Sequence, residues 1–404
     1  MTARVEVRPI KRDEISAFRT TISGAFGGEA QVADDPGDRF VAKLPLDRTR
    51  AVFSDGRLVA TSGTFPLVMN VPGGSIRCAG TTMVSVLPTH RRRGILRSMI
   101  AALHQDARER EEPIAALWAS ESGIYGRFGY GAASDMLNFT IPGKRMGIDP
   151  TYDADPVTLL EPGPETTAAF RALESRDRPG WFQRSETWLE VATLRDVPED
   201  RDGATAYRTA VTGSRNNPTG LVRYRMKEDT DSFHPGIQVG VSELWGTTPA
   251  AWAGLWGFVL GIDLITTITA DIRPVDDPLL TISTEPRRAK TTITDSLWVV
   301  LLDVGQALIG RRYSAPFAAT IEVRDGESSE VWRLEMDRDG TKCEPTKTSP
   351  DATMDRRHLG EAYMGRPRFS QNVRAGAIEM DPDLAAAADQ AFHWHIPPFT
   401  PEIF

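Results

Sequence analysis

Apolar positions in the first third of the chain change period several times. Val5 to Pro9 reads as a strand, and Arg12 to Phe26 as a helix that Gly27 and Gly28 end. Ala51 to Phe53 and Leu58 to Val71 predict a meander, with turns at Asp55-Gly56 and Gly73-Gly74, where positive φ is tolerated. Thr81 to Leu87 is a β-rich run closed by Pro88. Ile95, Leu96, Met99, Ile100, Leu103 and Ala107 then recur at helical spacing, which predicts a helix from Gly94 to Glu111 with one apolar face. Pro113 ends it, and Ile114 to Ala119 returns as a strand. A strand, helix and strand in this order predict two parallel strands joined by a right-handed crossover.

Pro142, Gly143, Pro150, Pro156, Pro162 and Pro164 mark a change of composition. Beyond them, strand-like runs at Ala206 to Thr212, Gly220 to Met226 and Ile237 to Trp245 lead into Thr248-Pro249, a helix-start signal. The helix runs to Leu260, Gly261 caps it, and Leu264 to Ile272 is the next strand. This second strand–helix–strand unit repeats the first without its glycine and arginine turn. From Thr292 the apolar Leu297 to Val304 opens a third stretch. Strands near Ala318 to Val323 and Val331 to Glu335 follow, with helices near Met354 to Tyr363 and Leu384 to Phe392.

Composition narrows the class. The 404 residues suggest two or three domains, and the net charge of −8 lacks the basic excess of a dedicated nucleic-acid binder. Two cysteines, Cys78 and Cys343, exclude a disulfide framework and a multi-cysteine zinc site, and both read as packing residues. The longest apolar run, Ala250 to Ile262, stops at Asp263, short of a membrane span. MTARVEVRPIKRDE has no apolar signal core, so a cytoplasmic protein is expected.

The segment from Val84 to Arg97, VSVLPTHRRRGILR, carries the candidate chemistry. A strand enters a tight basic turn that opens directly into an amphipathic helix. The first N–H groups of a helix have no internal partner, and its dipole adds partial positive charge, so phosphate groups bind there. Gly94 permits close backbone approach and the arginines attract anions.

With these residues the chain resembles the GNAT-type N-acetyltransferases, whose acetyl-CoA signature is R/Q-x-x-G-x-G/A. Arg91 and Gly94 match it, and Leu96 replaces the last small residue. That replacement, the THRRRG run and the ASESGIYGRFGYG segment from Ala119 to Gly131 resemble the enhanced intracellular survival (Eis) branch, as do the length and the final Phe404. The resemblance implies an α+β chain with mixed sheets, as tandem GNAT-type domains followed by a sterol-carrier-protein-like domain. Its expected parts are an acetyl-CoA-binding domain over 1–149, a second GNAT-like domain without a cofactor site over 150–291, and the last domain over 292–404. A homohexamer is implied too.

The resemblance also assigns roles. Backbone groups of Val84, Ser85 and Val86 would hold the pantetheine arm, and the amides of Arg92, Arg93, Gly94, Ile95, Leu96 and Arg97 the pyrophosphate. Ser120 and Glu121 would line the opposite side. Tyr125 would be the general acid, and the terminal carboxylate of Phe404 the base, with Glu402 adding negative charge. Three prolines in PPFTPEIF, and burial of Ile403 and Phe404, would order that tail. Acetyl-CoA is the expected co-substrate, with no metal. The expected acceptor is a polycationic small-molecule amine, an aminoglycoside modified at several amines. Acetylation of lysine side chains or peptide N-termini is the competing reaction, and a lipid-binding scaffold the non-enzymatic alternative.

The remaining signals have plain structural readings. Tyr130 reads as an aromatic core residue, and His393 and His395 as packing or surface rather than metal ligands. Trp245, Trp252 and Trp256 read as core or interface, and Glu109, Glu111 and Glu112 as a solvated helix end.

Overall fold

A seven-stranded sheet organises the first third of the chain. The computed structural model describes residues 5–28, 43–143, 146–174, 177–230, 236–337 and 340–404. The sheet contains β1 (Val5–Arg8), β2 (Ala51–Ser54), β3 (Arg57–Val71), β4 (Gly74–Val86), β5 (Ile114–Trp118) and β6 (Gly131–Ala132). Its order is β1-β2-β3-β4-β5-β14-β6, where β14 is Leu297–Leu301. As the pattern predicts, β4 and β5 are parallel and the Ile95–Glu109 helix joins them. That helix buries Ile95, Met99, Ile100, Leu103 and Ala107, the apolar stripe visible in the sequence.

A second seven-stranded sheet has the order β13-β7-β12-β11-β10-β9-β8. Its members are β7 (Asp135–Pro142), β8 (Val157–Leu160), β9 (Arg208–Ser214), β10 (Asn217–Glu228), β11 (Ile237–Gly246), β12 (Ile265–Arg273) and β13 (Lys290–Asp295). The expected Pro249–Leu260 helix links the parallel pair β11 and β12. Phe139, Val222, Leu244, Leu255, Trp256 and Ile268 lie in its core.

The third sheet, in the order β17-β16-β15-β18-β19, consists of β15 (Phe317–Asp325), β16 (Ser328–Met336), β17 (Thr341–Pro345), β18 (Ala352–Asp355) and β19 (Glu379–Met380). The expected helix near Met354 to Tyr363 begins only at Arg356, because Ala352–Asp355 pairs in parallel with β15.

The chain forms two compact units that do not follow sequence order. One gathers Met1–Ser134, Asp177–Gln183 and Ser296–Phe404, and the other Asp135–Arg176 and Arg184–Asp295. The stretch expected to open the last domain is divided between sheets. β13 pairs with β7, whereas β14 inserts between β5 and β6. The apolar run Leu297–Leu301 is buried almost throughout, as a central strand requires.

One expected surface feature is buried. Glu112 does not belong to a solvated helix end; it is 2% exposed, and both its oxygens accept from Arg48 Nη2 at 2.7 Å. Arg48 Nε donates to the Thr64 carbonyl at 3.0 Å. A carboxylate can stay charged inside a protein only when paired in this way.

Candidate active site

The parallel strands separate where the chemistry is expected. β4 and β5 pair only at Cys78–Ile114, Ala79–Ala115 and Gly80–Ala116, and past Gly80 each continues without the other. A bulge turns β4 aside: Met83 has φ +54°, and the register with β3 slips between Thr61 and Gly63. Thr61 holds that bulge. Its hydroxyl donates to the Met83 carbonyl at 2.7 Å and lies 2.7 Å from Ser85 Oγ. With the Ser85 side chain engaged on β3, the strand's backbone remains to face the gap.

A cleft of about 450 Å³ opens there. Val84, Ser85, Val86, Arg92, Gly94, Ile95, Leu96, Arg97, Ser120, Glu121 and Tyr125 all line it. Two expected site residues, Arg93 and Phe404, are not among the lining residues. Arg93 is exposed on the turn, and Phe404 is placed through the tail described below. The cleft also includes His90, Ile124, Arg127 and Phe128, which lie in the two motif segments without an assigned role, and Ala25 and Phe26, which carry no motif signal.

The start of the Ile95–Glu109 helix is chemically open. Gly94 is its N-cap at φ +79°, no side chain caps it, and no atom lies within 4 Å of where a Cβ would stand. Arg92 is also left-handed, at φ +61°. The initial helical N–H groups are therefore left to an external acceptor, beside exposed Arg92, Arg93 and Arg97. Arg91 has a different task. Its guanidinium donates to the Val86 carbonyl at 3.3 Å and the Ala25 carbonyl at 3.2 Å, fastening the turn to the Ile15–Ala25 helix.

Tyr125 ends the short Ser122–Tyr125 helix and is 6% exposed. Burial, and secondarily the charge of Glu121, pushes its phenol above the ordinary tyrosine value. It is held protonated, as a proton donor must be. The cysteines are poor nucleophiles: both are buried, burial pushes Cys343 up to about 12, and Cys78 stands well above its ordinary value.

The C-terminal segment packs on the first unit. Phe399 N–H donates to the Pro179 carbonyl at 2.8 Å, and Arg178 to the Pro397 carbonyl at 2.9 Å. The Phe399 ring meets Trp181, and the Phe404 ring meets Phe182 edge-on at 5.7 Å. The segment Asp177–Gln183 is itself bound to the end of β3, through Asn70 N–H to the Trp181 carbonyl and Gln183 N–H to the Val68 carbonyl. Phe404 is 8% exposed, but Ile403, expected to share the anchoring, is 59% exposed. Phe399 does that work instead.

The same architecture occurs in known proteins. Models of the acetyltransferase (GNAT) domain match residues 6–133 and 180–301, and a sterol carrier protein domain matches residues 304–401. An uncharacterized N-acetyltransferase of Streptomyces coelicolor is 36% identical over 99% of this chain and 100% of its own length. The N-acetyltransferase Eis of Mycobacterium tuberculosis is 32% identical over 85% of this chain and 88% of its own length. The chain belongs to the Eis family of GNAT N-acetyltransferases.

The crystal structure of Eis1 from Mycobacterium abscessus superposes with a TM-score of 0.82 at 28% identity, covering 99% of this chain and 100% of that one. A GCN5-related N-acetyltransferase from Anabaena variabilis, 17% identical, has the same fold, with a TM-score of 0.83 over 99% of this chain and 100% of that one. This Eis-family chain is thus an N-acetyltransferase with two GNAT domains followed by a sterol-carrier-like domain, and acetyl-CoA is the co-substrate of GNAT domains.

The second GNAT domain has the same strand divergence but fills it. β11 and β12 pair in parallel up to Val241–Ala270, and β11 continues to Gly246. Arg273, at the end of β12, reaches back across to donate to the Leu244 carbonyl at 2.5 Å and to Asp277 at 2.9 Å. The following helix is capped internally: Thr248 Oγ1 accepts from Ala251 N–H at 3.1 Å, and Pro249 has no N–H to offer. Trp256 lies in this core and Trp245 meets Trp252 edge-on.

Among the described residues, no group of three or more His, Cys, Asp or Glu side chains is placed to hold a metal ion, and His393 and His395 are exposed. No helix among them is long and apolar enough to cross a membrane.

Proposed function

We propose that this enzyme moves the acetyl group of acetyl-CoA directly onto primary amines of a polycationic small molecule, an aminoglycoside acetylated at more than one position. The thioester supplies an activated acetyl group. The amides from Arg92 through Arg97 hold the diphosphate, and the backbone of Val84 to Val86 aligns the pantetheine arm, opposite Ser120 and Glu121. Tyr125 gives its phenolic proton to the departing thiolate, while the Phe404 carboxylate takes a proton from the incoming ammonium through water. One observation carries this reading: an uncapped helix start, a diverging strand and a buried phenol line a single cleft. The ordered C-terminal segment supports a base drawn from Phe404.

A net charge of −8 accords with a cationic acceptor. Arg273 and the Thr248 cap support a single cofactor site per chain, in the first GNAT domain. The reading includes a homohexamer acting in the cytoplasm, and light scattering of the purified protein tests the hexamer. The activity is tested by CoA thiol release with acetyl-CoA and a panel of kanamycin, neomycin, spermidine and a lysine-containing peptide. The aminoglycosides should be fastest. Preference for the peptide would replace the acceptor assignment, and absence of acetyl-CoA binding would remove the catalytic reading.

A further inference from the structure

Thr81 is the first residue of β4 beyond its last pairing with β5, and it is held by a side chain in place of a β5 partner at this point of the sheet. Its Oγ1 lies 3.0 Å from the Tyr130 hydroxyl. The same hydroxyl lies 3.1 Å from Nε2 of His104, on the Ile95–Glu109 helix. Tyr130 is fully buried and directly precedes β6. Its hydroxyl therefore connects three separate elements at the strand divergence: β4, the cofactor-facing helix and the loop that follows Tyr125.

Tyr130 also contacts Tyr125 twice. Its amide donates to the Tyr125 carbonyl at 3.4 Å, and the two rings meet edge-on with centroids 6.0 Å apart. A phenylalanine would fill this space without burying a polar atom, and a buried hydroxyl is costly unless bonded. Here both bonds are made. Burial, aided by Arg108 and Arg356, lowers the His104 imidazole to about 3, so the ring is neutral and offers one donor and one acceptor. A hydroxyl between a neutral histidine and a threonine donates to one and accepts from the other, which fixes the orientation of all three.

We propose that Tyr130, held by His104 and Thr81, is a positioning residue for acetyl transfer, which sets the Tyr125 ring and keeps β4 at its divergence from β5. The inference rests on Tyr125 as the proton donor. It assigns Tyr130 no contact with substrate.

The test is a kinetic double-mutant cycle on the full chain, using acetyl-CoA and the fastest amine of the thiol-release panel. Tyr130→Phe should lower kcat roughly tenfold or more, since small misplacements at a reacting centre have effects of that order. KM for acetyl-CoA should stay within about twofold. In a Tyr125→Phe background the same change should have less than about a twofold effect, because the two act as a unit. Unchanged kcat in Tyr130→Phe, or losses that multiply in the double variant, would overturn the inference and leave the Tyr125 assignment standing. Full turnover in Tyr125→Phe alone would overturn both. His104→Gln provides the same cycle from the other end of the hydroxyl and decides the matter if Tyr130→Phe does not fold.

Discussion

Phe404 lies against Gly80: a methyl group added to Gly80 would stand 3.3 Å from the Phe404 ring and 2.6 Å from the Leu67 side chain. Gly80 is also the last β4 residue paired with β5, so the C-terminal aromatic ring rests at the mouth of the strand divergence. Residues appended after Phe404 would relocate its carboxylate while the rest of the cleft remains. The extended protein should bind acetyl-CoA normally yet lose acetyl transfer, measured by titration and by thiol release. Full turnover in the extended protein would remove the base assignment. Gly80→Ala should overpack the contact, costing about 1–3 kcal/mol of stability in chemical denaturation.

The protonation of Tyr125 sets a second expectation. Burial raises its phenol, so the donor form persists above pH 10, the ordinary tyrosine value. The kcat profile should show no loss from this group between pH 7 and about 9.5, and Tyr125→Phe should depress kcat more than acetyl-CoA affinity. An alkaline limb that begins near pH 8 in the wild type and vanishes in Tyr125→Phe would contradict the assignment.

Arg48 and Glu112 form a buried ion pair, 5% and 2% exposed. Glu112→Ala leaves the guanidinium enclosed without its counter-ion and should destabilise the protein by about 3–5 kcal/mol. Replacing both residues together, Arg48→Met with Glu112→Leu, should recover most of that loss. Thermal and urea unfolding of the three variants checks the order.

His104 should make the protein acid-sensitive in a defined window. Its folded value, about 3, lies below the ordinary 6.5, so the unfolded chain takes up the proton first. Its contribution is complete above about pH 6.5 and declines as pH falls toward 3. Glu14 acts lower: a hydrogen bond from Arg8 holds it at about 2, so its contribution is lost between its ordinary 4.5 and 2. Urea unfolding between pH 7 and 5 should therefore show a fall in the wild type that is smaller in His104→Gln and unaffected by Glu14→Gln.

What could be read from the sequence was local. The turn from Val84 to Arg97 is contiguous, so strand, glycine and amphipathic helix declare one side of the cleft within a short span. The stripe on the Ile95–Glu109 helix was equally visible, because helical periodicity reports burial directly. Partner choice was not. Leu297–Leu301 is apolar enough to be a central strand of any sheet, and nothing in its composition names β5 and β6 as neighbours. Asp177–Gln183 carries no periodic pattern, yet it holds both Phe399 and Phe404. The buried role of Glu112 was hidden because Arg48 lies far away in sequence. Tyr130 gave an aromatic signal only; its hydroxyl acquires meaning from Thr81 and His104.

The proposed acetyl-CoA site depends most directly on the open helix start at Gly94. Calorimetric titration of the intact chain with acetyl-CoA should find one site per chain. In Gly94→Val, where a side chain must adopt a left-handed backbone and occupy the space beside the amides, affinity should fall about tenfold or more with the fold retained. Wild-type affinity in that variant, or two equivalent sites per chain, would contradict it.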